Sequence, residues 1–357
     1  MKILFLSKRY PQGKDLLTRS HGRFFHIPLL LAEMGHEVHH LLLSYRNQPT
    51  VDVIQAGIHW HSRSLWDIGQ SSYWSTACSL TDAIIPDWVV GFSDTYFGIL
   101  AEHLGRKFGV KSLIDAYDNY ESYLPWCTPL HFFWRRAVSQ ATAVTAAGPQ
   151  LAELLQQSRS GKPVFIVPMA ADVPAFMPRD REACRHELNL PLGKKIVGYC
   201  GSIYRNRGFH TLFDAHELLK NTDRNTDLIL TGRKEKGISL PSSARWFGYL
   251  SDDKIPVFLN SLDAAAIINR VSRFGKYSYP VKLYEAMRCQ IPVIATDTPS
   301  VNWILKGDDR FLARPDDPYD LAEKICKASG LGRVDYGEQT SWEQSCKAFE
   351  NVLLQIN

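Results

Sequence analysis

The sequence predicts an α/β protein built from two doubly wound domains in succession, and three observations carry that expectation. Short apolar runs alternate with segments of helical periodicity from the first residues onward, the signature of βαβ units and a parallel sheet. The alternation stops once, at a charged stretch with prolines at its ends, residues 177–195, and then restarts. The length, 357 residues, is that of two domains of ordinary size.

The first apolar run, KILFLS at 2–7, is too short for a normal helix and reads as a buried strand. The loop containing Gly13, His21 and Gly22 leads into RFFHIPLLLAEMG (23–35), whose apolar positions recur at helical spacing and which stops at Gly35, a C-terminal cap. HEVHHLLLS (36–44) is the next strand, so the first 45 residues already require a parallel pair with a right-handed crossover. DWVVGFS (87–93), KSLIDAYD (111–118), ATAVTAAG (141–148) and PVFIVPM (163–169) continue the strands. Helices are expected at 95–109, closed by Gly109, and at 149–158.

After the joint the strands are KIVGYCGSI (195–203), DLILTG (227–232), SARWFGYL (243–250), DAAAIIN (263–269) and IPVIATD (291–297). Helices are expected at 208–221, 251–262 and 280–289, and a last helix over 341–356 ends the chain. The expected organisation is a first domain over 1–178, completed by the helix at 341–357, and a second over 179–340. Such sheets bind ligands beyond the carboxyl ends of their strands, so the two domains are expected to face a common cleft.

Composition narrows the function. With 45% apolar and 22% charged residues the chain is an ordinary globular protein. A net charge of +4 suits an anionic ligand but falls short of a nucleic-acid binder, so no nucleic-acid partner is expected. Seven scattered cysteines, with no CxxC pair and no zinc spacing, indicate a reducing compartment and no metal centre. The N-terminus lacks the apolar length of a secretory signal, and no uncharged stretch reaches the roughly 18 residues of a membrane span. A cytoplasmic protein is expected, with peripheral contact at the inner face of a membrane as an added option. No GxGxxG follows the first strand, which argues against a nicotinamide-dependent oxidoreductase.

The most specific passage is YSYPVKLYEAMRCQIPVIATD, residues 277–297. Pro280 suits the first turn of a helix, and the free backbone donors that follow, together with Lys282, make an anion site for which phosphate is the natural guest. Glu285 stands where a carboxylate can accept hydrogen bonds from a ribose diol. This passage resembles the nucleotide-sugar signature of the family 4 glycosyltransferases (glycosyl transferases group 1), which have the GT-B fold of two facing Rossmann-like domains. Glu285 matches the second of the family's two glutamates, and Tyr277 stands where the first would be. Tyr277, Ser278 and Tyr279 are the residues on offer to replace that glutamate beside the transferring sugar, and Pro280 and Val281 are further expected donor contacts.

Further segments fall in register. GYCGSIYRNRGFHTLFDA (198–215) is similar to the family's diphosphate loop, with Arg207 matched to one of its two cations, Ser202 standing at the other, and Arg205 a candidate substitute. LILTGRKEKG (228–237) and the turn at 248–250 resemble the base-recognition region, which implies donor contacts from Arg233, Gly248, Tyr249 and Leu250. VFIVPMAADVPAFMP (164–178) resembles the hinge passage. Gly22, with His21 before it and Arg23 adding charge after it, stands where the family keeps a glycine-rich loop against the donor phosphates. Asp118 matches the acidic residue on the acceptor side, where the usual preceding histidine is replaced by Tyr117.

The resemblance implies a retaining, metal-independent glycosyltransferase of envelope or polysaccharide synthesis, with no cofactor beyond a UDP- or GDP-sugar co-substrate. Arg207, Lys282 and Asp118 are its expected catalytic groups, because fixed cations can stabilise the leaving diphosphate as a divalent ion does elsewhere. The acceptor is expected to be a glycan, a lipid-linked sugar or a small molecule. Two aromatic stretches, 60–74 and 123–138, the second with Arg135 and Arg136, have the residue mix that stacks on sugars or lies at a membrane interface. A sugar-nucleotide epimerase of the same fold and a non-catalytic nucleotide-sugar-binding subunit are the alternatives.

Overall fold

The computed structural model describes residues 1–19, 21–172, 174–222 and 225–356. The chain forms two compact units, Met1–Met169 with Thr340–Asn357, and Ala170–Gln339.

The first unit is built on β1 (Lys2–Lys8), α1 (Arg23–Glu33), β2 (Glu37–Ser44), β3 (Val51–Gln55), β4 (Ile58–Ser64), α2 (Tyr73–Ile84), β5 (Trp88–Gly91), α3 (Thr95–Phe108), β6 (Lys111–Ala116), α4 (Thr128–Gln140), β7 (Ala143–Ala146), α5 (Pro149–Gln156) and β8 (Phe165–Ile166). Among the described residues its sheet runs β3-β4-β2-β1-β5-β6-β7-β8, parallel except for β3 against β4. β1 is central and covered on both faces, which is why it reads as an unbroken apolar run. Ile3 and Phe5 point into one core with Ile27, Leu31 and Phe349, while Leu4 and Leu6 point into another with Phe97, Leu100 and Leu104.

The periodicity missed part of this unit. β3 and β4 form a hairpin over a two-residue turn in which Ala56 and Gly57 both have positive φ, 51° and 75°, as such turns require. β3 is largely exposed, so no apolar alternation marks it. α2 and α4 fall within or beside the aromatic stretches; α2 is capped by Ser72, whose side chain accepts from the Ser75 amide.

The second unit contains α6 (Arg181–Glu187), β9 (Lys195–Cys200), α7 (Phe209–Thr222), β10 (Thr226–Thr231), β11 (Ala244–Trp246), α8 (Lys254–Asn260), β12 (Ala264–Ile267), α9 (Val281–Arg288), β13 (Val293–Thr296), α10 (Pro299–Ile304), β14 (Leu312–Ala313) and α11 (Pro318–Ala328). Among the described residues its sheet is wholly parallel in the order β11-β10-β9-β12-β13-β14. The charged stretch 177–195 is not a bare connector: it holds α6, capped by Asp180, whose carboxylate accepts from the Ala183 amide at 2.7 Å. The expected strand 243–250 ends at Trp246, because the chain turns at Gly248 with φ +69°. Pro280 sits at the N-cap of α9, one position before its expected place, and Asp253 occupies the N-cap of α8 without a side-chain capping bond.

The final helix, α12 (Trp342–Gln355), belongs to the first unit. It starts in a capping box made by Ser341 and Gln344, and it buries Cys346, Phe349, Val352 and Leu353 in the core shared with α1. Among the described residues no helix is long and apolar enough to cross a membrane.

Candidate nucleotide-binding site

The second unit's sheet reverses its winding at β9, which lies between β10 and β12. The crevice beyond the carboxyl ends of such strands is where α/β sheets bind ligands. Two glycines shape it. Gly201 follows β9 with φ +141° and Gly232 follows β10 with φ +126°. A Cβ on Gly232 would lie 2.0 Å from the Gly201 carbonyl oxygen, so this close approach of two loops admits no side chain. A Cβ on Gly201 would sit 3.1 Å from Tyr199 Oη and 3.5 Å from Lys282 Nζ. A side chain at this position would therefore press on Tyr199 and stand against that ammonium.

Lys282 projects from the first turn of α9. Its ammonium donates to Tyr199 Oη at 2.7 Å and stands 4.1 Å from the centre of the tyrosine ring, while Tyr199 Oη donates to the Ser202 carbonyl at 3.0 Å. Burial, reinforced by the charge of Arg207, pushes the Lys282 pKa down to about 7; Cys200 and Glu285 oppose the shift. Glu285 is one turn further along α9. Arg207 closes the 3-10 turn Arg205–Arg207 and places its guanidinium carbon 4.7 Å from the centre of the Phe274 ring. No carboxylate forms an ion pair with Lys282 or Arg207 among the described residues, so two cations converge where an anion would compensate both.

Other predicted residues are placed nearby with different engagements. The Arg205 guanidinium donates to the Gly237 carbonyl at 3.1 Å, and its backbone amide donates to Glu235 at 3.0 Å. The Gly248 carbonyl accepts from the Gly232 amide at 2.7 Å and from Thr231 Oγ1 at 2.9 Å, which fixes the turn that carries Tyr249 and Leu250. Arg233 lies 5.5 Å from the Tyr249 ring centre. Tyr277 ends the 3-10 turn Gly275–Tyr277 and is half-buried. Ser278 and Tyr279 are buried against α10: the Ser278 carbonyl accepts from Ser300 Oγ at 2.7 Å, and the Tyr279 ring meets Trp303 edge-on. Val281 opens α9.

In the first unit, Gly22 is the N-cap of α1 with φ +65°. The expectation that Arg23 contributes free charge at that helix start is overturned. Arg23 is buried, paired with Asp115 through two hydrogen bonds of 2.7 and 2.5 Å, and bonded to the carbonyls of Val167 and Pro168. Its charge is consumed inside the fold. Asp118 follows β6, is buried, and accepts from Tyr123 Oη at 2.8 Å.

Sequence reasoning missed two groups. Tyr199, the platform under Lys282, looks like any core aromatic in a strand. Lys8 ends β1, and Ser93 and Asp94 follow β5, at the place where the first sheet reverses. Ser93 is fully buried with φ +78°, an uncommon conformation for serine, and Lys8 lies 3.8 Å from Asp94, whose carboxyl is held above its ordinary range by burial, with Lys8 opposing. Nothing short of the strand order brings these three together.

Two doubly wound units, each on a mainly parallel sheet, are the architecture of the GT-B fold. The chain superposes on sucrose-phosphate synthase from Thermosynechococcus elongatus with a TM-score of 0.73 at 16% identity, over 99% of this chain and 96% of that one. It superposes on Anabaena Alr3699/HepE in complex with UDP-glucose with a TM-score of 0.70 at 15% identity, over 100% and 97%. Residues 194–329, within the second unit, match the family described as glycosyl transferases group 1. It is 24% identical over 172 residues to the capsular polysaccharide biosynthesis glycosyltransferase CapM of Staphylococcus aureus, covering 42% of this chain and 44% of that protein. It is 25% identical over 220 residues to the D-inositol 3-phosphate glycosyltransferase of Corynebacterium jeikeium, covering 53% and 51%. The chain thus spans about half the length of the curated relatives it matches.

Proposed function

We propose that the chain is a glycosyltransferase that takes a sugar from a nucleoside diphosphate held by its second unit. The observation that carries this reading is the pairing of Lys282 and Arg207 without a carboxylate partner, beside Gly201, where a side chain would stand against the lysine ammonium. As the bond between the sugar C1 and the diphosphate breaks, negative charge builds on the departing oxygen, and two preorganised cations stabilise that charge most where water is excluded. Glu285 is assigned to the ribose hydroxyls and the turn at 248–250 to the base edge. UDP is the proposed nucleotide, supported by the UDP and UDP-glucose complexes of the structural relative HepE. Retention of configuration and independence of metal are part of the proposal, the cations taking the part of a divalent ion.

The acceptor is assigned to the first unit, near Asp118. Trp126 is 76% exposed, and Phe132 and Phe133 on α4 are exposed beside Arg135 and Arg136, which supports a lipid-linked or glycan acceptor approached at a membrane surface.

The test is a thermal-shift and hydrolysis panel of UDP-, GDP-, dTDP- and ADP-sugars, with and without EDTA. The reading expects stabilisation by one nucleotide class, unaffected by chelator and lost in Glu285→Ala. A metal requirement would sink the mechanism. Binding without turnover on any acceptor would favour a non-catalytic subunit, the reading to which Tyr277 and Ser202 lend weight.

A further inference from the structure

A second cavity lies in the same unit, at the opposite edge of its sheet. It has a volume of about 630 Å³, within the range of small-molecule sites. Lys195, which lines it, opens β9, and Asp263, also in its wall, directly precedes β12. Gly201 follows the far end of β9, so the cavity and the Lys282 site stand about 17 Å apart, the rise of a six-residue strand. Fold alone does not predict a ligand there, because parallel sheets use their carboxyl edge.

Its lining is cationic. Among the described residues Arg179, Arg181, Arg185, Lys194, Lys195 and Arg333 contribute positive charge, against the carboxylates of Asp180, Glu182 and Asp263. Part of that charge is structural. Arg185 is buried and bonded to Asp263 and to the carbonyls of Ser261, Leu192 and Lys194. Asp263 serves Arg181 as well, at 2.5 Å, and also accepts from the Ile196 amide, so one carboxylate answers two guanidinium groups. Arg181 Nε is buried with no hydrogen-bond partner among the described residues. Arg333 is held by two carbonyls, those of Cys289 at 2.7 Å and of Arg179, with no carboxylate bonded to it among the described residues. Burial and the neighbouring charge of Arg181 push the Arg333 guanidinium below its ordinary value. A buried donor without an acceptor and crowded guanidinium groups are costly unless an acceptor arrives from outside.

We propose that this cavity is a second anion-binding site, separate from the sugar-donor site, that takes a phosphate-bearing small molecule between Arg179, Arg181 and Arg333. Guanidinium groups bind phosphoryl oxygens in bidentate fashion, and several converging on one cavity favour a di- or trianion over a carboxylate. The occupant is either inorganic or a phosphate ester.

The experiment is calorimetric titration of the full chain with inorganic pyrophosphate and with glucose 6-phosphate, on the native protein and on Lys282→Met, which removes charge from the donor site. The expected result is binding of at least one probe that survives Lys282→Met and weakens at least tenfold in Arg179→Ala/Arg333→Ala. Tighter pyrophosphate marks an inorganic occupant and tighter glucose 6-phosphate an ester. Because Arg333 bonds the carbonyl of Cys289 at the end of α9, Arg179→Glu, which alters only an exposed side chain, is the second variant; the same loss is expected at an unchanged melting temperature. No heat with either probe overturns the proposal. So does binding that Lys282→Met abolishes and the arginine variants leave intact, which would place both probes in the donor site.

Discussion

The lysine beneath Gly201 offers a sharp test, because its charge state changes near neutral pH. With a pKa of about 7 in the free chain, roughly nine-tenths of the Lys282 side chains are protonated at pH 6 and roughly one-tenth at pH 8. A bound diphosphate holds the proton on, so binding draws only on the protonated fraction. The affinity for UDP-glucose, whose diphosphate keeps its charge over this range, should therefore fall about tenfold from pH 6 to pH 8. Lys282→Arg replaces the titrating group by one that stays charged, and its affinity should be flat with pH. Lys282→Met should bind weakly at every pH. Calorimetric titration at half-unit steps of pH measures all three.

The same shift sets the sign of a stability effect. A lysine depressed to about 7 in the folded chain and near 10.4 in the unfolded one binds fewer protons folded than unfolded between those values. This group therefore makes the ligand-free protein more stable as pH rises from 7 toward 10, and its full cost is present below pH 7. Lys282→Met should have a higher melting temperature than the native chain at pH 6, with the gap closing toward pH 10. A flat native affinity profile, combined with a methionine variant no more stable at pH 6, would refute the reasoning.

Other perturbations probe separate parts of the structure. Arg207→Ala should lower kcat more than it raises the donor KM, since its charge opposes the leaving group, while Glu285→Ala should chiefly raise the donor Kd. Arg23→Met leaves Asp115 charged and buried and should cost about 3–5 kcal/mol in urea unfolding, whereas Arg23→Met/Asp115→Leu should recover most of that loss. Gly201→Ala puts a methyl group 3.5 Å from Lys282 Nζ in a backbone conformation that disfavours side chains, so UDP binding should fall at least tenfold by titration. Trp126→Ala/Phe132→Ala/Phe133→Ala should reduce sedimentation with vesicles of anionic lipid while leaving the melting temperature unchanged, as these rings are exposed.

By itself the sequence determined the architecture and the register of its most telling passage. β1, β9 and β13 are buried on both faces, so their apolar runs state their identity without reference to the rest of the chain. PVKLYE places Lys282 and Glu285 one helical turn apart on α9 whatever surrounds them, because that spacing is a local property of the helix. The exposed β3 and the helix α2 were not legible, since their signals lie in a turn of positive φ and in the Ser72 cap rather than in apolar periodicity.

Tertiary structure alone decided which charges are free. Arg23, Arg185 and Arg207 are indistinguishable as letters. Arg23 is consumed by Asp115, ninety-two positions away, and Arg185 by Asp263, seventy-eight away, while Arg207 retains its charge beside Lys282. Whether a cation is a strut or a site depends on what lies opposite it across the sheet, and that is set by strand order, to which local sequence is blind.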